Sequence, residues 1–364
     1  MSVPPEPVLY VVAGLSVIAL MVLVLPFRIR KIEENLEPFF LIMGVAAVSI
    51  SGLWSLELLA SALKAPVAIG SLPIGIFQVV LFFGILIHYF KKPFYGLVNS
   101  LAARLSPRAF VFLMILLLGL LSSVISVILT AFLLAEIASA LPLSRENKVR
   151  LIVVACFATA LGACLTPVGE PLSTILVAKL AGPPYHAGFL FPLQTFGIYM
   201  IPGVVALALF GSLWIGPKMH AKNKETKIDY PETLLKVVLR AVKVYVFVAA
   251  LILLGEGFMP LIVWYFSGVA PWTLYWFNMV SAVVDNATLT AIEINPALSL
   301  SHIINIVMGL SVAGGMLIPG NIPNIVAAGR LKIRMKEWAK TGVPLGLAMM
   351  ATYFIILLIL PLGL

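Results

Sequence analysis

Charge is the first thing this chain lacks. Only 11% of its 364 residues are Asp, Glu, Lys or Arg, and 15 acids with 24 bases are too few to clothe a soluble protein of that size. Cysteine is nearly absent as well. Cys156 and Cys164 share one apolar run and would lie about 12 Å apart on a helix, beyond disulfide reach. The four histidines, His88, His186, His220 and His302, show no metal-ligand spacing. There is no HExxH pair, phosphate loop or nucleophile–base arrangement, so nothing points to an enzyme or to a bound cofactor. No polar segment is long enough to form a soluble domain, and there is no low-complexity tract.

Apolar residues are what the chain has in excess: 62% of the total, with a mean hydropathy of +1.11. That composition excludes cytosolic enzymes, nucleic-acid binders and disordered proteins. The net charge of +9 does not argue for a nucleic-acid partner, because the bases sit in short connectors between apolar runs, the positive-inside pattern. The chain reads as an integral, all-α polytopic protein of the inner or plasma membrane, with the lipid bilayer as its surroundings. Its first eight residues carry no base, and Arg28, Arg30 and Lys31 follow the first apolar run. That order is the reverse of a cleaved signal peptide, so the first helix is expected to remain, with its N-terminus outside.

Ten runs are long enough to be considered as membrane helices: 8–26, 38–60, 68–90, 109–141, 151–181, 190–216, 242–266, 272–300, 302–329 and 341–363. Four are unusual. Runs 109–141 and 272–300 carry polar residues in the middle: Ser122, Ser123, Ser126 and Thr130 in the first, Ser281, Asp285, Asn286, Thr288 and Thr290 in the second. Runs 151–181 and 302–329 are interrupted by LTPVGEP (165–171) and LIPGNIP (317–323), whose paired prolines stop an α-helix. Backbone freed at that depth must face protein or a water-filled cavity.

The bases choose between two topologies. If every run crosses once, Lys and Arg divide 13 to 11 across the membrane; if 109–141 and 272–300 are re-entrant hairpins, they divide 22 to 2, with only Lys64 and Lys179 outside. The hairpin topology obeys the positive-inside rule and puts the basic loops in the cytoplasm. It also exposes a repeat. SVISVILTA (123–131) in one hairpin corresponds to AVVDNATLTA (282–291) in the other, setting Ser126 opposite Asn286, and each hairpin is followed by an L-x-P-x-x-x-P break. The first hairpin opens inside and the second outside, so the repeats are inverted. That is the architecture of secondary transporters, whose site lies between the repeats.

The polar residues fall on that expected site. An ionised Asp285 at mid-membrane costs about 2.5–3.5 kcal/mol on insertion scales, which marks it as functional by default. Asn286, Thr288 and Thr290 beside it supply hard oxygen ligands suited to Na⁺. Glu170 in the first break either ligates or holds the break by accepting backbone N–H groups. Thr166, Asn321 and Asn324 line the breaks with the same two alternatives, and Ser126 and Thr130 line the first hairpin. Glu293, ahead of Asn295 and Pro296 at a hairpin mouth, reads as hydrated, and the Phe/Trp cluster at 264–277 reads as an interfacial belt.

SAVVDNATLTA, GACLTPVGEP and GGMLIPGNIPNIVAAG resemble the motifs of the ion transporter superfamily, most of all those of NhaD-type sodium/proton antiporters and related uncharacterised predicted cation transporters. The resemblance covers 109–181 and 272–329. It implies two inverted repeats, each with a re-entrant hairpin and a broken transmembrane helix, in a homodimer. It also implies cation handling by Asp285 with Asn286, and by Glu170 with Thr166. This sequence departs from the antiporters in having Ser126 and its apolar neighbours where the first hairpin usually carries an acid, and Glu170 in place of Asp.

The resulting expectation divides the chain into N-terminal scaffold helices (1–66), repeat 1 (67–216), a cytoplasmic linker (217–241) and repeat 2 (242–364). The expected activity is Na⁺/H⁺ antiport by alternating access, with Na⁺ as transported or coupling ion, competing with H⁺ for Asp285. The alternative is a sodium-coupled symporter of an organic or inorganic anion, dicarboxylate-like, using Ser126 and Asn286 as neutral anion ligands.

Overall fold

A backbone surrounded by lipid must pair its N–H and C=O groups within its own segment, and long apolar runs answer by coiling into helices. The computed structural model describes residues 6–33, 35–64, 66–67, 77–78, 81–82, 85, 89, 100, 104–219, 234–266, 268–283 and 286–360. Run 68–90 and the central part of the linker therefore fall largely outside the described residues. Among the described residues there are helices and no strand.

In chain order the helices are α1 (Leu9–Arg28), α2 (Arg30–Glu33), α3 (Leu36–Ser51) and α4 (Leu56–Lys64), then α5 (Pro107–Ile125), α6 (Val127–Ala140), α7 (Arg145–Ala163), α8 (Pro171–Lys179) and α9 (Phe191–Trp214). The second half holds α10 (Leu234–Leu261), α11 (Pro271–Phe277), α12 (Asn286–Glu293), α13 (Leu300–Ala313), α14 (Ile322–Leu331) and α15 (Met335–Ile359). Serine hydroxyls start three of them: Ser106 accepts from Ala109 N, Ser144 from Asn147 N and Ser299 from His302 N.

Four segments are long and apolar enough to cross a bilayer: Pro107–Ile125, Phe191–Lys218, Val237–Tyr265 and Met335–Ile359. The distribution of side chains is that of a protein in lipid. Leu213, Leu358 and Ile359 are 66%, 61% and 74% exposed, while Ser122, Thr130, Thr159, Ser311 and Asn324 are completely buried. The chain is an all-α membrane protein.

Side-chain contacts sort the segment ends into two groups. In the first group, Ser212 Oγ donates to Arg108 O at 2.8 Å, the Arg150 guanidinium lies 5.0 Å from the Trp214 ring, Lys148 Nζ donates to Ser139 O at 2.6 Å, and Arg145 reaches Leu331 O, Lys332 O and Glu337. The start of α5, the end of α6, the start of α7, the end of α9 and the α14–α15 turn thus share one basic pole. In the second group, Lys179 Nζ reaches Ala291 O, Tyr185 Oη reaches Leu298 O, and His302 Nε2 lies 2.8 Å from Val269 O. The end of α8, the approach to α11 and the α12–α13 turn share the other pole.

Run 109–141 is divided at Ser126, where φ is 75° and ψ is 138°, so its two helices meet at a sharp corner. Its first helix has 19 residues, about 28 Å, almost the thickness of the hydrocarbon layer. Run 272–300 is built differently: a seven-residue helix, a 3₁₀ turn (Asn278–Ala282) and the eight-residue α12. The broken helices also differ in detail. LTPVGEP forms turns between α7 and α8, whereas LIPGNIP contains a 3₁₀ turn at Ile318–Gly320. The N-terminal helices are not a separate layer, since α1 and α3 share an apolar cluster with Ala250, Leu254 and Phe258 of α10.

Candidate functional site

Each break begins at a glycine that lets a neighbouring segment in. A Cβ on Gly162 would stand 1.7 Å from Gly119 O and 2.9 Å from Ser122 Oγ, and a Cβ on Gly314 would stand 2.3 Å from Asn286 Oδ1. Gly162 and Gly314 occupy the same place relative to their breaks, and each receives the polar segment that precedes it in the chain. The two helices leading into the breaks touch where Ser311 Oγ donates to Cys164 Sγ at 3.8 Å.

The segments after the breaks start alike. Glu170 (φ −151°, ψ 160°) precedes α8 and Asn321 (φ −150°, ψ 146°) precedes α14, both extended. Neither side chain caps its helix, and the two are 2% and 1% exposed. Glu170 instead sits against the Cys164 thiol. Other side chains close the freed backbone. Ser173 Oγ donates to Cys164 O at 2.9 Å, Thr174 Oγ1 to Pro167 O at 2.5 Å, and Asn324 Nδ2 to Gly314 O and Leu317 O at 2.8 and 2.9 Å.

The corners of the polar runs carry matching hydrogen bonds. Thr130 Oγ1 donates to Ser126 O at 2.9 Å, and Thr290 Oγ1 donates to Asn286 O at 2.8 Å. Both threonines spend their protons on their own helix and present only lone pairs to anything else. Val127 N donates to Gly169 O at 2.7 Å, fixing the first corner on the first break, while Ser281 Oγ bonds both Asn286 Oδ1 and Leu310 O. Thr166 is fully engaged: its hydroxyl donates to Ser123 O and accepts from Val168 N.

Each corner also packs on the half-helix beyond the opposite break. Val127 and Ile128 share a cluster with Ile322 and Val326 of α14, and Ala287 and Ala291 share one with Ile175 of α8. The described site residues therefore form one connected group. Ser126, Thr130, Thr166 and Glu170 gather at the first break; Asn286, Thr290, Asn321 and Asn324 gather at the second; Cys164 and Ser311 join them. Asp285 and the Thr288 side chain lie outside the described residues.

Within that group several polar atoms are shut from solvent and have no hydrogen-bond partner among the described residues: Ser126 Oγ, Asn286 Nδ2, Asn321 Nδ2 and Asn324 Oδ1. Leaving such a group buried costs about 1–3 kcal/mol, so four in one group make this the candidate site. Of these atoms the Ser126 hydroxyl and the Asn324 amide oxygen suit a hard monovalent cation, whereas the Asn286 and Asn321 amide nitrogens are donors and suit an anion or a further acceptor. Among the described residues no three His, Cys, Asp or Glu side chains gather as a metal site.

A family model described as protein of unknown function (DUF1646) matches residues 12–360. The chain belongs to the DUF1646 family. No curated protein matches it. Three connections in this DUF1646 protein join residues far apart in the sequence or buried against expectation. Glu136 in α6 pairs with Arg330 in α14, and Lys179 Nζ caps α12 through Ala291 O and Ile294 O at 2.8 and 3.2 Å. Lys179 and Arg330 are each the ninth residue of the helix after a break, although counted from the proline motifs they are one position out of register. The third is Glu293, which is buried rather than hydrated and accepts from Asn278 Nδ2 at 2.9 Å. The aromatic cluster is divided: Trp272 and Phe277 are exposed, and Tyr275 is buried with its hydroxyl on Met350 O.

Proposed function

We propose that this protein is a secondary active transporter that exchanges Na⁺ for H⁺ by alternating access. In this reading 67–216 and 242–364 are inverted repeats, 109–141 and 272–300 are re-entrant hairpins, and the broken helices are α7–α8 and α13–α14. Residues 1–66 serve as scaffold in a homodimer, and 217–241 is a cytoplasmic linker. Both polar runs start and finish at one pole of the molecule, and the two runs use opposite poles, which supports hairpins of opposite orientation. The first pole is rich in Lys and Arg and is the cytoplasmic one by the positive-inside rule, leaving the N-terminus outside.

The observation that carries the proposal is the group of buried, unbonded polar atoms at Ser126, Asn286, Asn321 and Asn324, at the meeting of both corners with both breaks. Asp285 directly precedes Asn286 and supplies the titratable charge. In general a carboxyl shielded from water favours its protonated form, and Na⁺ with oxygen ligands favours the carboxylate. The two ions then compete for one site. Thr130, Thr288 and Thr290 add lone pairs, and Glu170 with Thr166 completes the first-break side.

The test is proton flux into proteoliposomes after a Na⁺ jump. Asp285→Asn keeps an oxygen ligand and removes the proton site, so flux should drop to background at every pH. Asp285→Glu should retain flux with a shifted pH profile and weaker Na⁺ affinity.

One observation favours a second reading. Asn286 Nδ2 and Asn321 Nδ2 are donors, and α6, α8, α12 and α14 all begin at the site, where helix N-termini attract negative charge. A sodium-coupled anion symporter would use them for its substrate. Robust Na⁺-dependent uptake of a dicarboxylate by the Asp285→Asn protein would replace the antiporter with this symporter.

A further inference from the structure

Away from the corners, a carboxyl and an amide are buried against each other near the start and finish of the second polar run. Asn278 is 0% exposed and Glu293 is 1% exposed. Asn278 Nδ2 donates to Glu293 Oε2 at 2.9 Å, which fixes the orientation of the amide. The remaining oxygens, Glu293 Oε1 and Asn278 Oδ1, are closed to solvent and have no hydrogen-bond partner among the described residues. Gly309 of α13 holds the amide in place, with room so tight that a Cβ there would stand 3.1 Å from Asn278 Cβ.

Both leftover atoms are acceptors. A buried acid facing one donor and one further acceptor is short of positive charge, and only a proton or a cation corrects that. Among the described residues the surrounding elements do not supply it. Lys179 of α8 gives its ammonium to Ala291 O and Ile294 O and stands by Glu256 of α10. His302 of α13 is held between Ser299 Oγ and Val269 O, and Tyr275 of α11 donates to Met350 O. Among the described residues, Asn278 is the side chain that bonds Glu293.

We propose that Glu293 and Asn278 form a second monovalent-cation site, in which Na⁺ bound by Glu293 Oε1 and Asn278 Oδ1 replaces a proton on the Glu293 carboxyl. Binding breaks the O–H bond, the proton leaves to water, and charge is conserved one for one. The site uses neither Asp285 nor the breaks, so it goes beyond the transport reading and stands or falls separately from it.

The experiment uses purified full-length Asp285→Asn protein in detergent, nearly unbuffered, with a pH dye. NaCl is added, with N-methyl-D-glucamine chloride as control. About one proton per chain should be released by Na⁺ alone. The release should vanish in Asp285→Asn/Glu293→Gln, and Asp285→Asn/Asn278→Ala should need about tenfold more Na⁺. Gln matches Glu in shape, so the double variant should fold; Asp285→Asn/Glu293→Asp, releasing a proton at higher Na⁺, guards against misfolding. Infrared difference spectra of the Asp285→Asn protein should show a protonated-carboxyl C=O stretch lost on adding Na⁺. No release from Asp285→Asn, or equal release from its Glu293→Gln derivative, overturns the site. Proton flux in liposomes plays no part in this readout, so a failed antiporter reading would leave it interpretable.

Discussion

Arg330 donates through Nε to Glu136 Oε1, joining the half-helix after the second break to the second helix of the first polar run across 194 residues of sequence. The partners are unequal. The Glu136 side chain is 2% exposed and that of Arg330 is 37% exposed, with its guanidinium also 5.7 Å from the Phe132 ring. Lys179 makes the reciprocal reach from α8 to the carbonyls that end α12.

That inequality predicts an asymmetric mutational response. Arg330→Gln strands a buried carboxylate and should cost about 3–5 kcal/mol. Glu136→Gln leaves a guanidinium that can turn to water and should cost markedly less. The double variant should be more stable than Arg330→Gln alone. Thermal unfolding in detergent measures all three, and strictly additive losses would refute the pairing.

Gly162 and Gly314 should fail in different ways when changed to alanine. At Gly162 the new methyl meets the Gly119 carbonyl, which is backbone and cannot turn aside, so folded yield should collapse. At Gly314 it meets the end of the Asn286 side chain, which can swing away. Gly314→Ala should therefore fold and lose ion-dependent transport. Comparing monodisperse yield with liposome flux separates the two outcomes, and normal flux from Gly314→Ala would remove Asn286 from the site.

Glu170 makes no capping bond to α8 and sits against the Cys164 thiol, so ligation and holding of the break predict different results for its amide variant. Glu170→Gln should express and melt like the parent protein while its apparent ion affinity drops about 10- to 100-fold, the range for groups that support a metal ligand shell. Unchanged transport kinetics would return Glu170 to holding the break together.

Cysteine labelling reports on the two poles. Both native cysteines are buried, so background should be low. Cysteine at Glu146 should react only from the cytoplasmic side, and cysteine at His186 or Ala297 only from the opposite side. Reaction of position 146 from outside would contradict the hairpin topology.

The helices were readable from the sequence because apolar runs in lipid have few alternatives, and both breaks were readable because paired prolines admit only one outcome. The corner at Ser126 was visible as polar residues inside an apolar run. Its partner contacts were not. Glu293 misled because an acid followed by Asn295 and Pro296 looks like a loop edge, while its burial depends on Asn278, fifteen residues away and across a 3₁₀ turn. Glu136 and Arg330 lie 194 residues apart with no shared motif, and only three-dimensional packing of α6 on α14 makes them a pair. Local pattern encodes depth and breakage; it does not encode which distant helix will arrive alongside.

The pairing of Glu136 with Arg330 also sets a schedule for biogenesis. A ribosome adding about 5–20 residues per second needs about 10–40 s to travel from one to the other. During that interval α6 is already made, and its buried acid has no counter-charge. A product terminated in the linker would keep that uncompensated carboxylate permanently. Nascent chains of this protein thus lack the Arg330 partner of Glu136 until the last tenth of the sequence is being made.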